Sequence, residues 1–144
     1  MGPLDLSSKP PRGPREEMLG LSFIPRTIDK IRGHLPGGNP GRYIVKQRGM
    51  TSYVLKQIKV DPDELIDAVA QARTEADVEH WLREHADLNN VDDLNRRISN
   101  VTIGMQDEAT LAQMRTFYAG IDAVPKDTKI FDLLERDDAQ LLSS

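Results

Sequence analysis

Apolar residues recur at steps of three and four through most of this 144-residue chain, and capping residues stand in front of several of the runs. That period puts the apolar positions on one face of a helix and does not suit a strand, so it limits the fold more than any other feature. Ile24, Ile28, Ile31 and Leu35 predict a helix over 23–35, with Pro25 in its first turn and its start near Ser22. Asp61-Pro62-Asp63-Glu64 opens another: an acceptor at the cap, Pro next and Glu third, followed by Leu65, Ile66 and Val69. Thr74 caps the next helix, with Asp77 in the capping-box position and Val78, Trp81, Leu82 and His85 on one side. Val91, Leu94, Ile98 and Val101 form a further stripe. Leu111, Met114, Tyr118 and Ile121 follow Asp107, with Gly120 placed to end that helix. Thr128 caps a last short helix carrying Ile130, Phe131, Leu133 and Leu134. The expected fold is all-α: a compact single-domain bundle of about six or seven short helices spanning residues 1–144.

Three stretches depart from this pattern. Residues 1–14 carry Pro3, Pro10, Pro11, Gly13 and Pro14, and read as an extended, polyproline-like N-terminal arm. Leu4 and Leu6 alternate around Asp5 and can dock such an arm on a core. Pro14 suits the start of a short helix through Leu19, closed by Gly20. The run 36–41 is a loop. Residues 42–58 stay open: Tyr43-Ile44-Val45 suits a strand or extended segment, and Thr51 can cap a helix carrying Val54, Leu55 and Ile58. A hairpin turning at Arg48-Gly49 competes, but Met50 to Ile58 does not alternate, which favours the helix.

Composition narrows the chemistry. There is no cysteine, so a disulfide scaffold, a thiol nucleophile and a thiolate metal site are excluded. No apolar run is long enough for a signal peptide or a membrane span, so a cytoplasmic protein without membrane contact is expected. The net charge of −4 is small, but it is unevenly placed. Residues 1–60 carry a net +7 and residues 61–144 a net −11. Such a split points to an anionic partner, to contact between the halves or between copies, or simply to solvated faces.

Two stretches carry a family resemblance. One is Leu4-Asp5-Leu6-Ser7-Ser8-Lys9-Pro10-Pro11-Arg12-Gly13-Pro14-Arg15; the other is Ile24-Pro25-Arg26-Thr27-Ile28-Asp29-Lys30-Ile31-Arg32. Together they resemble the opening of a bacterial domain-of-unknown-function family, DUF5069, whose L-D-L-[ST]-K-x-P-P-R-S-P-R segment precedes an L-P-R-x-[IL]-D-K helix. Gly13 stands where that family often has Ser, and Ser8-Lys9 is a local variation. Trp81 and Asn95 are weaker later matches. The resemblance implies no activity. It does imply that the Pro/Arg arm is an ordered part of the fold.

The arm and the first long helix hold the best candidate site. Arg26, Lys30 and His34 are four apart and form a polar stripe beside the apolar one. Arg12 and Arg15 on a stiff arm can fold over it, and guanidinium forks match carboxylate or phosphate. One reading is a pocket for a small anionic ligand, bound by Arg12, Arg15, Arg26 and Lys30; the other is an ion-pair network with Asp29 tying arm to helix. The leading functional expectation is a non-catalytic binding or interaction module whose basic face accepts a small anion, an acidic protein surface or a second copy. The alternative is an enzyme acting on a small phosphorylated or carboxylated metabolite, with Asp29 or His34 as acid or base. A nucleic-acid-associated protein comes third: Tyr43 and Tyr53 lie among basic residues, but the acidic half repels a long polyanion.

Other motifs carry less. In His80-Trp81-Leu82-Arg83-Glu84-His85 the two histidines point about 140° apart on a helix, so no metal site is expected. No nucleophile motif or phosphate loop is present, and no cofactor is expected. Asp92-Asp93 and Asp137-Asp138 diverge on a helix and read as solvated charge.

Overall fold

The computed structural model describes residues 1–143. Its elements follow the apolar periodicity. A small hairpin, β1 (Glu17–Met18) and β2 (Leu21–Ser22), precedes α1 (Ile24–His34), α2 (Met50–Gln57), α3 (Pro62–Gln71), α4 (Glu75–His85), α5 (Val91–Ser99), α6 (Glu108–Phe117) and α7 (Ile130–Ser143). The fold is therefore mostly helical, with one two-stranded antiparallel sheet. No helix among the described residues is long and apolar enough to cross a membrane.

The caps act as their chemistry dictates. Asp61 accepts from the Asp63 amide and Pro62 opens α3. Thr74 and Asp77 form the capping box of α4. Asp107 accepts from the Thr110 amide at the start of α6. The buried faces join in one apolar cluster running from Met18 to Leu134. Helix α1 lies at its centre: every residue from Leu21 to Ile31 is buried. Its polar side is therefore enclosed as well as its apolar side, and each buried polar group there needs a partner.

Three expectations change. No helix runs from Pro14 to Leu19. Leu19 and Gly20 both take left-handed φ, 54° and 77°, which is the backbone of a tight hairpin turn between Met18 and Leu21. Asn95 on α5 holds that turn, accepting from the Ser22 amide at 2.8 Å and donating to the Gly20 carbonyl. Residues 43–45 form no strand, and Thr51 sits inside α2, whose cap is Gly49. The last helix is not short: α7 has 14 residues and runs through Asp137 and Asp138 to Ser143. His85 is the last residue of α4; it is exposed and stacks on the half-buried Trp81, ring centres 4.3 Å apart.

Residues 1–15 belong to no helix and no strand. The Leu4 amide donates to the Arg32 carbonyl at 3.1 Å and the Leu6 amide to the Asn39 carbonyl at 2.7 Å. Leu6 is buried. Gly41 runs against this segment at φ 57°, and a Cβ there would lie 2.5 Å from the Leu6 carbonyl oxygen.

Candidate functional site

The charge split is largely taken up inside the chain. Among the described residues, seven of the eleven basic residues before Val60 form ion pairs, and most of their partners lie beyond it. Arg12 is one. Its main-chain amide and its guanidinium both donate to Asp29, at 2.8 to 3.1 Å, and the guanidinium reaches Glu75 of α4 as well. Arg15 pairs with Asp132 and Glu135 on α7 and covers the Phe131 ring. These two arginines and Asp29 thus tie the N-terminal segment to α1, α4 and α7. His34 sits at the exposed end of α1, its Nε2 2.9 Å from the Tyr43 carbonyl oxygen. None of these four residues lines the large cavity described next.

Arg26 is 2 % exposed, and one turn of α1 separates it from Lys30, which is 7 % exposed. Arg26 meets Asp138 of α7 in a two-pronged ion pair, at 2.6 and 3.1 Å. The same carboxylate accepts from the Tyr43 hydroxyl at 3.1 Å. Its neighbour Asp137 pairs with Arg42 at 3.1 Å. The reading of Asp137-Asp138 as solvated charge is thereby overturned: both are buried. A signal was present. Asp138 stands seven residues after Phe131 and Asp137 four after Leu133, which continues the apolar face of α7 for another turn. Tyr43, which lies among basic residues in the sequence, is buried as well, so its ring is closed to a base.

Lys30 differs from its neighbours. Its ammonium donates to the Thr51 hydroxyl at 2.5 Å and lies 5.3 Å from the centre of the Phe23 ring. Among the described residues no carboxylate forms an ion pair with it. Burial, with the Arg26 charge adding to it, pushes the amine down to about 7, against a smaller opposing pull from Asp138. Burial also raises the Asp137 carboxyl, although Arg42 opposes it. The phenols of Tyr43 and Tyr118 are raised chiefly by burial too. The backbone supporting the amine is unusual: Phe23, the cap of α1, holds φ at 78° while its ring stacks on Phe131. A buried aromatic residue in that region is strained, and packing must hold it there.

Lys30 and Arg26 open onto a cavity of about 490 Å³ between α1, α2, α6 and α7. Met50, Met114, Phe117, Tyr118 and Leu134 supply apolar wall. Arg42 and Arg48, more exposed, line it as well. The volume lies within the range of small-ligand pockets, and an apolar enclosure with few convergent polar groups is their usual form. The arrangement can hold one negative charge at Lys30 and an apolar body against the Met and aromatic side chains.

Residues 8–140 match the family described as Domain of unknown function (DUF5069). The chain belongs to this family. The match spans nearly the whole fold of this DUF5069 protein, from the N-terminal segment bearing Arg12 and Arg15 to the buried carboxylates of α7. No curated protein matches it.

Proposed function

We propose that this DUF5069 protein binds a small organic carboxylate with an apolar body, in the cavity between α1, α2, α6 and α7. One observation carries the reading: Lys30 is buried, has no carboxylate partner among the described residues and opens onto an apolar cavity. A cation so placed is missing its counterion, and a ligand can supply it. Carboxylate suits the site better than phosphate. Arg26 is already committed to Asp138, and Arg42 and Arg48 are offset by Asp137 and Asp107. A single lysine matches a single charge.

This reading keeps Arg26 and Lys30 at the site and gives Arg12 and Arg15 a binding role only through the shape they maintain. Residues 1–14 serve as an extended arm strapped across α1 by the Arg12–Asp29 contact. The wider reading, a basic face for an acidic protein surface or a second copy, is less well supported, because most of that basic half is paired within the chain. The same pairing weakens the case for nucleic acid. We place the protein in the cytoplasm, where such acids are soluble anions.

Thermal shift with hydrocinnamate, a phenyl-bearing carboxylate, tests the proposal. Binding to the folded state raises the melting temperature with concentration. The expected result is a rise that Lys30→Met abolishes while its circular dichroism stays native. Equal shifts in the two proteins, or none in either, would overturn it.

A further inference from the structure

Binding an anion leaves one property of the cavity unused. A lysine amine is a nucleophile only when neutral, and two surroundings favour that form: an apolar enclosure and a neighbouring cation. Lys30 has both. Its side chain is buried among Phe23 and the cavity wall, and Arg26 lies one turn away on α1. Arg26 cannot swing aside, because Asp138 and the Arg12 carbonyl oxygen hold its guanidinium. The amine is also aimed. Thr51, fixed in the first turn of α2, accepts one of its N–H groups.

We propose that Lys30 is an amine nucleophile that forms an imine with an α-oxo acid bearing an apolar side chain, seated in this cavity. The proposal rests on the binding reading above and names the class of acid. The neutral amine nitrogen attacks the oxo carbon, forming a C–N bond while the C=O π pair moves to oxygen. The proton lost by nitrogen passes to that oxygen, giving a carbinolamine. The nitrogen lone pair then forms C=N as the hydroxyl leaves with a proton as water. Amine and oxo acid thus become imine and water, with no oxidant, reductant or co-reactant. Protonation of the imine restores a cation beside the acid's carboxylate, so the charge match that favours binding survives the reaction.

Phenylpyruvate and hydrocinnamate share one skeleton and differ in the oxo group, which makes them a matched pair of probes. The full chain is incubated with phenylpyruvate and cyanoborohydride near neutral pH, and the reduced adduct is located by peptide mass mapping. The expected result is a single adduct on Lys30, formed ahead of the other six lysines and suppressed by excess hydrocinnamate. Labelling spread over the surface lysines with Lys30 unmodified overturns the proposal. So does a Lys30→Met variant, folded by circular dichroism, that labels as the parent does. Calorimetry with hydrocinnamate separates the two readings. If that acid binds while Lys30 stays unlabelled, the imine falls and the binding site stands. If it fails to bind and Lys30 stays unlabelled, both fall.

Discussion

Arg26 and Asp138 lie 112 positions apart and meet as a buried two-pronged ion pair that joins α1 to α7 beside the cavity. Breaking a buried pair from one side leaves an uncompensated charge, which costs about 3–5 kcal/mol. Asp138→Ala should destabilise by that amount, because it strands Arg26 and removes the acceptor of the Tyr43 hydroxyl. Urea unfolding measures it, and a loss below about 1 kcal/mol would contradict the role given to this pair. The double variant Arg26→Met, Asp138→Leu should recover most of the loss, since apolar residues often replace a buried pair at little cost.

Lys30 should show the opposite sign. Its amine is lowered from 10.5 to about 7 in the fold, so the unfolded chain binds the extra proton between those values. The charge penalty is full below about pH 7 and is relieved as pH rises towards about 10. Lys30→Met should therefore be more stable than the parent at about pH 6, by a few kcal/mol. The gap should narrow through the alkaline range. A variant less stable than the parent at acid pH would show that the ammonium is well solvated in the fold. Arg26 and Asp138 face this amine, and Asp137, Arg42, Tyr43 and Tyr118 surround the cavity; taking the difference between the two proteins removes their shared titration.

Arg12 gives a control that separates shape from binding. Arg12→Ala leaves the buried Asp29 without its guanidinium and frees Glu75. With Arg12 itself about one-third exposed, the cost should be about 1–3 kcal/mol. Limited proteolysis should then cut within the first 15 residues. Cleavage no faster than in the parent would mean that contacts such as Leu6 with Asn39 hold the segment alone.

Asn95 supports the hairpin from across the fold. Asn95→Ala strips an acceptor from the Ser22 amide and a donor from the Gly20 carbonyl. The Ser22 amide is part-buried, so about 1–3 kcal/mol should be lost. Hydrogen exchange should rise at Ser22 before it rises in α3. Uniform exchange across the fold would contradict a local role.

The helices were legible because their apolar stripes and caps are local: Thr74 with Asp77 and Asp61 with Pro62 need no distant partner. The hairpin at 17–22 was not, because it depends on Asn95, 73 positions beyond Ser22, and on left-handed backbone at Leu19, a residue type that does not advertise it. Half of the candidate site was visible in the same way. Arg26 and Lys30 stood out as a polar stripe on an apolar helix. Asp137 and Asp138 looked like ordinary acidic tail, since a carboxylate on a buried face reads as solvated until its cation is located. Arg12, Arg15, Asp29 and His34 shared the basic segment with the site but not its cavity, a distinction that depends on where α4 and α7 pack.

Calorimetric titration of hydrocinnamate between about pH 6 and about pH 9 reads the part that the Lys30 charge plays in binding. If the carboxylate pairs with the Lys30 ammonium, binding takes up one proton above about pH 7, and affinity should fall about tenfold per pH unit there. Lys30→Met should abolish binding throughout. An affinity that does not change with pH, or that survives in Lys30→Met, would contradict the account.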